Sequence, residues 1–290
     1  MGLVGAMQLR ASQPVLVDSH VHLFSDDQTT FPYHPSAVYR PKAEPLAPYL
    51  DFVRQAKISH VILVHPEPYQ DDHSYLKYCI AHEPSMGFFK GTCLFDPIAP
   101  DTAGRMSRLI KELPGRIVAL RIHCTINPRI DPKKYPTKSG PIRDRDLASP
   151  EMTKTWKAAH DLGLGIQMHF IPFYAPQIRK LAEQFPQMPV ILDHLGRPGQ
   201  GTAAEFDNVL RLSELPQVYL KYSGESMNRK TETRRAFEAF GADRMMWGGL
   251  GMNIEQYRQN SDLFNSTFDF TTDFVRDKIR GANAMKLFRF

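Results

Sequence analysis

Short, nearly unbroken apolar runs punctuate this chain, and each is followed by a longer stretch whose apolar residues recur at helical spacing. The runs predict strands at residues 15–17, 61–64, 88–94, 118–122, 165–170, 190–192, 218–222 and 245–247. Strands with so little polar alternation belong in a parallel sheet that is covered on its outer side. Their starts are mostly separated by roughly 25 to 30 residues, the length of one strand–helix unit. Eight such units in 290 residues predict an α/β fold of one kind: a single (β/α)8 TIM barrel spanning residues 1–290 as one domain. Between the strands, residues 45–56, 155–162 and 175–185 show helical periodicity, and Gly163 falls where a helix C-cap belongs. No repeat, low-complexity block or linker interrupts the pattern.

Two gaps break the rhythm. Residues 24–44 follow the first strand, and residues 125–150, with prolines at 128, 132, 136, 141 and 150, follow the fourth. Long loops inside a compact domain are functional or disordered. In a barrel both gaps leave the C-terminal ends of strands, where chemistry sits, so the expectation is a pair of lids.

Composition narrows the picture. With 42% hydrophobic and 23% charged residues the chain can bury a sizeable core. No apolar run is long enough to span a bilayer. The first fifteen residues lack the apolar stretch of a signal peptide, and Ala6 stands where a myristoylation motif needs Ser or Thr. Cys79, Cys93 and Cys124 are odd in number and far apart, which suits a reducing cytoplasm. The net charge of +5 comes from scattered Lys and Arg residues with no reader motif. That excludes nucleic acid and membrane as expected partners and favours a small anionic substrate. Oligomeric state leaves no trace in the sequence.

The candidate chemistry gathers at strand ends. His20 and His22 stand two apart at the first strand, so both imidazoles can face one point, and neutral imidazoles bind zinc well. The alternative is one hydrogen-bonded and one solvated histidine. His169 closes the fifth strand and His194 the sixth, while His123 and His65 follow the fourth and second. Arg121, inside the fourth strand, is expected to meet an acid or a substrate carboxylate. Arg197 lies three residues past His194. Asp193 alternates away from His194, which predicts a structural partner on the opposite face.

The segments DSHVHLF, FPYHPSAVYRP, VILDHLGRP, MMWGG and GANAMKLF together resemble the amidohydrolase superfamily, in its amidohydrolase-2 branch. Within that branch they look most like 2-pyrone-4,6-dicarboxylate lactonases and related sugar or muconolactone lactonases. The resemblance covers nearly the whole chain. It implies a (β/α)8 barrel that hydrolyses or decarboxylates small, often carboxylated compounds. It further implies a divalent metal, usually zinc, held by His20, His22 and His169, with His194 assisting catalysis and Arg121 gripping a substrate carboxylate. The dicarboxylate lactonases are metal-free and carry Tyr at the fifth-strand position, so His169 moves this chain toward the metal-binding pattern. Arg197, His123 and Asn253 are the other expected substrate contacts.

One departure stands out. The branch reads W-G-[ST]-D-W-P at the eighth strand, and that Asp ligates metal and serves as base. This chain has Leu250 in the same register. Glu225, after the seventh strand, and Glu255, beyond the eighth, are candidate replacement acids, and His194 is another candidate base. The expected function is therefore a metal-dependent, lactonase-like hydrolase. The alternatives are a decarboxylase of the same branch and a barrel that has lost catalysis and retains a ligand.

Overall fold

The computed structural model describes residues 14–290. Residues 1–13, where the sequence argues against a leader or acyl anchor, lie outside the described residues. Eight strands form one sheet in chain order, every neighbouring pair parallel. They are β1 (Val17–Val21), β2 (His60–Val64), β3 (Phe89–Cys93), β4 (Ile117–Cys124), β5 (Gly165–Phe170), β6 (Val190–Leu192), β7 (Val218–Tyr222) and β8 (Met245–Trp247). Helices α1 (Leu46–Gln55), α2 (Ser74–Ala81), α3 (Thr102–Glu112), α4 (Pro150–Asp161), α5 (Ala175–Ala182), α6 (Ala203–Arg211), α7 (Lys230–Phe240) and α8 (Ile254–Thr267) cover the outside. The barrel read from the apolar rhythm is the barrel observed.

The largest difference from expectation is at β1, which begins at Val17 and takes in Asp18, Ser19 and His20. Polar residues do not end this strand because Asp18 and Ser19 are satisfied where they lie. Asp18 and Val21 pair with Val61 and Leu63 of β2. The Ser19 hydroxyl donates to the Trp247 carbonyl at 2.7 Å. The Asp18 carboxylate accepts from the backbone nitrogens of His20 (3.0 Å), Gly249 (2.8 Å) and Leu250 (3.2 Å). Those bonds fasten β1 to the chain leaving β8, the seam where the barrel closes. Gly248 belongs to the same seam, since a Cβ there would lie 2.6 Å from the Cβ of His20.

Two apolar layers hold the walls. The larger one lies between sheet and helices and includes Leu63, Leu120, Ile166, Trp156 and Trp247. The smaller one packs Val17, Ile62, Ala119, Ile191 and Met246 against Phe288. Phe288 ends α10 (Asn283–Phe288), which follows α9 (Asp273–Asp277) and a π-helical turn. The GANAMKLF segment now has a physical account. Gly281 lets this turn meet the start of β1, because a Cβ there would overlap the Val15 carbonyl oxygen at 2.0 Å. The Asn283 amide donates to the carbonyls of Ala242 and Met245 at 2.7 and 2.8 Å.

Both long segments are folded. The first is closed by an antiparallel bridge between Phe24 and Glu44. The second is gathered by Asp144, whose Oδ1 accepts from the nitrogens of Thr125 and Ile126 at 2.5 and 2.8 Å. The two meet over the β2 loop, where His34 N donates to the Pro68 carbonyl and Ile142 N donates to Gln70 Oε1.

Asp18→Ala leaves three backbone N–H groups at the seam without an acceptor, each worth about 1–3 kcal/mol when buried. Urea unfolding is expected to show a loss of at least about 3 kcal/mol; a change below about 1 kcal/mol would show that the seam does not depend on this carboxylate.

Candidate active site

Polar residues alternate along the inner faces of neighbouring strands. β4 contributes Arg121 and His123, β5 contributes Gln167 and His169, and β7 contributes Lys221 with Ser223 just beyond it. Register aligns Arg121 with Gln167 and His123 with His169. β1 adds His20 and His22, and the end of β6 adds Asp193 and His194.

Asp193 is the hub, and here the sequence expectation needs correction. It does not face away from the histidines. It is fully buried, and its Oδ1 lies 3.3 Å from His20 Nδ1 and 3.8 Å from Lys221 Nζ. Its Oδ2 accepts from Arg121 Nε at 3.2 Å and from Gln167 Nε2 at 3.1 Å, with Arg121 Nη2 at 3.1 Å. Strict alternation fails because the chain turns left-handed straight after Asp193. His194, Leu195, Gly196 and Arg197 all have positive φ, between 55° and 68°. That turn brings His194 back toward the barrel, its ring centroid 4.7 Å from that of His20. Non-glycine residues pay about 1 kcal/mol or more each for this region, so the surroundings must enforce it. Leu195 is buried, and Gly196 is obligatory because a Cβ would sit 2.6 Å from Val209 Cγ1.

Burial alone would raise the pKa of Asp193, yet His20, Arg121 and Lys221 hold it well below the usual carboxylate range. Burial lowers Lys221 to about 8, with Asp193 opposing the shift. Every histidine of the cluster is driven down, chiefly by burial. His22 falls to about 3 and His194 to about 4, and His20, His123 and His169 lie well below the ordinary value. The cluster is neutral at pH 7.

His22 Nδ1 lies 2.7 Å from the Val64 carbonyl, which can only accept, so Nδ1 carries the proton. His20 Nδ1 lies 3.3 Å from Asp193 Oδ1 without completing an aligned hydrogen bond, and this ion-pair contact favours the proton on Nδ1. Both Nε2 atoms are then lone-pair donors, and they face each other 3.4 Å apart. Two opposed lone pairs at this distance repel unless a cation lies between them. Two nitrogens at the usual zinc bond length, in a tetrahedral site, stand roughly 3.3 Å apart, so the pair fits a metal.

The remaining candidates fall into distinct places. His169 turns its Nδ1 to His123 Nδ1 at 3.1 Å, because register sets the two side by side. Among the described residues, the trio whose ligand atoms lie within 4.8 Å of one another is His20, Asp193 and His194, rather than His20, His22 and His169. His194 Nδ1 is 2.9 Å from Ser223 Oγ. Glu225 is exposed and accepts from Arg197 Nε and Gln200 Nε2, both at 2.9 Å. Asn253 caps α8 by accepting from Gln256 N, and Glu255 accepts from Gln259 on the same exposed helix face. His65 is buried against His73, with ring centroids 4.3 Å apart, and its Nε2 meets the Gln70 carbonyl. Leu250 is fully buried in the apolar layer, so the eighth strand brings no acid to the mouth at this position. A recess of about 320 Å³ opens beside the mouth, lined by Thr125, Ile126, Asn127, Ile130, Ile171 and Gln200 among others.

Gln167, Lys221 and Ser223 are residues that motif reasoning passed over. The available signal was positional: a polar side chain inside an otherwise apolar parallel strand must have a partner in the barrel.

The amidohydrolase family model matches residues 17–290. Comparison with curated protein sequences finds no match. Solved structures are similar along nearly their whole length. One is a protein from Acinetobacter baumannii provisionally assigned as a 2-pyrone-4,6-dicarboxylic acid hydrolase, crystallised with citric acid. It is 19% identical, with a TM-score of 0.74, covering 95% of this chain and 99% of that one. A similarly assigned protein from Pseudomonas putida is 20% identical, with a TM-score of 0.71, covering 96% and 98%. A zinc-bound amidohydrolase from Burkholderia multivorans is 16% identical, with a TM-score of 0.68, covering 95% and 99%. A barrel closed at the DxHxH strand, with histidines at its fifth and sixth strand ends and a family match running from β1 to the last residue, places this chain in the amidohydrolase family.

Proposed function

We propose that this chain is a metal-dependent hydrolase acting on a small carboxylated lactone or a related C–O or C–N bond. The observation that carries the reading is the His20–His22 pair, whose Nε2 atoms face each other at 3.4 Å while His22 Nδ1 bonds the Val64 carbonyl and His20 Nδ1 lies 3.3 Å from Asp193 Oδ1. Metal-binding imidazoles characteristically donate their other nitrogen to a carboxylate or carbonyl, and Asp193 and Val64 fill those places here. His20 and His22 would hold the ion through Nε2. The third donor that the resemblance implies is His169, which here directs its Nδ1 to His123. Asp193 has Oδ2 engaged by Arg121 and Gln167, and its Oδ1, 3.3 Å from His20 Nδ1, serves by orienting His20. A divalent ion bound there supplies polarisation of a substrate carbonyl and a lowered pKa for water.

The other steps belong to the chain. His194 has Nδ1 against Ser223, which leaves Nε2 to exchange a proton with substrate. Because burial keeps it neutral, it begins as the acceptor. That suits a general base in a barrel whose eighth strand offers Leu250. Arg121 commits Nε and Nη2 to Asp193, so its Nη1 edge remains for a substrate carboxylate. Arg197, pinned by Glu225, sits on the turn that positions His194 and can meet a second anionic group. Glu225 therefore acts by holding Arg197 rather than by exchanging protons.

Protein purified without chelators is expected to contain a stoichiometric divalent metal by elemental analysis and to open lactones. His20→Ala should abolish both, and retained activity in that variant would sink the site. His194→Asn is expected to lower kcat by a factor of about 10² to 10⁴ with metal content unchanged, the range for losing a positioned base. Carbon dioxide release without ring opening would instead identify a decarboxylase.

The neutral histidines also set a pH dependence. Their folded pKa values lie below the unfolded value of 6.5, so the unfolded chain binds more protons as pH falls. Stability is thus complete above pH 6.5 and is lost on acidification toward the folded values. In chelator, each buried histidine that stays neutral is expected to lower stability by about 2 kcal/mol between pH 7 and pH 5. Denaturant midpoints that stay constant over that window would contradict the neutral cluster.

A further inference from the structure

The foot of the barrel is closed unevenly. Its plug, α10, leans toward β1 and β8. Asn283 donates to the carbonyls of Ala242 and Met245 at the start of β8, and the turn before α10 meets Val15 at Gly281. Under the starts of β4, β5 and β6 the plug leaves a cavity of about 370 Å³, walled by Ile117, Leu164, Met188, Ile191, Leu287 and Phe288 among others. Gly115 and Gly163 also line it, both with positive φ and open space where a Cβ would stand, so the turns that favour glycine keep this side clear.

The charge lining the cavity has one sign. Lys90 and Arg289 line it, and no Asp or Glu does. Lys90 Nζ donates to the Phe288 and Arg289 carbonyls at 2.7 and 2.9 Å and lies 5.4 Å from the centre of the Phe290 ring. These contacts leave one N–H of the ammonium over and bring no carboxylate to it. Burial lowers the pKa of Lys90, and the positive charges of Arg116 and Arg289 lower it further. Arg116 has its own partner in Glu83; among the described residues no carboxylate pairs with Lys90 or Arg289.

We propose that this cavity is a second ligand site, separate from the histidine cluster, for a small carboxylate with an apolar body such as an aromatic acid. The carboxylate meets the remaining N–H of Lys90 and the Arg289 guanidinium, as charge-assisted hydrogen bonds require. The apolar body lies against Ile117, Leu164, Ile191 and Leu287. A concave apolar site with a few polar groups at one end is the usual form of a small-molecule site. Chemistry in such barrels sits at the opposite, C-terminal face, so the occupant takes no part in it. It joins α10 to the starts of the strands and stabilises the folded chain by binding to it.

The probe is 4-bromobenzoate, soaked into crystals of the wild-type protein for an anomalous map at the bromine edge. The expected result is a bromine peak between α10 and the starts of β4 to β6, whatever else the compound occupies. Bromine at the histidine mouth alone, or nowhere, overturns the proposal, and this reading needs no variant to fold. In solution, calorimetry should give a dissociation constant of about 1 mM or tighter for wild type. Lys90→Met and Arg289→Gln, with folding checked by circular dichroism, are each expected to weaken it roughly tenfold or more, the cost of losing a charge-assisted hydrogen bond. Unchanged affinity in both folded variants overturns the proposal, because Lys90 would then serve only to hold the end of α10.

Discussion

Asp193 is fully buried, and the side chains that surround it have to satisfy its charge. Four strands supply those partners: His20 from β1, Arg121 from β4, Gln167 from β5 and Lys221 from β7. A buried carboxylate deprived of such partners would be strongly destabilising, so the requirement fixes side-chain orientations across half the barrel circumference. Orientation of His20 follows from it, and with it the direction of the His20 Nε2 lone pair. The left-handed turn that follows Asp193 then returns His194 to the same place. One anion thus faces the ring of one histidine and, through the chain that leaves it, sets the location of another.

The seam between β1 and β8 couples this arrangement to closure of the fold. Asp18, pushed up to about 6 by burial against the opposing pull of its backbone N–H donors, ties β1 to Gly249 and Leu250. His20 lies two residues on, and Gly248 has no side chain because the backbone of His20 occupies that space. The segment after β8 is therefore used to close the barrel. Leu250 fits this role, since its nitrogen meets Asp18 and its side chain joins the apolar layer. Under the proposed function, the chemistry that an acid would bring at that point falls to His194.

Strand order and barrel closure were legible in the chain because apolar runs at regular spacing carry them. Residues 165–170, 190–192, 218–222 and 245–247 match β5 to β8 residue for residue. The end of β1 was less legible because the strand carries Asp18, Ser19 and His20, whose partners lie far away in sequence. The histidines were readable as a group from their strand-end positions. Which of them approach one another was not: His169 meets His123 through the β4–β5 register, and Asp193 joins the site through a turn that alternation does not foresee. Glu225 and Asn253 drew attention by proximity in sequence, yet local partners, Arg197 and Gln256, engage them. Lys221 and Gln167 carried the opposite lesson. Their polarity within apolar strands was visible, but its meaning required knowing that both face Asp193.

Under the proposed function, the Nε2 atoms of His20 and His22 form one cation site oriented by Asp193 and Val64. The most direct measurement is an anomalous difference map from crystals of the zinc-loaded protein, recorded at the zinc absorption edge. The expected result is a single strong peak bonded to both Nε2 atoms at about 2.0 to 2.1 Å. A map with no peak at that pair, or with the ion bound to other residues, would contradict it.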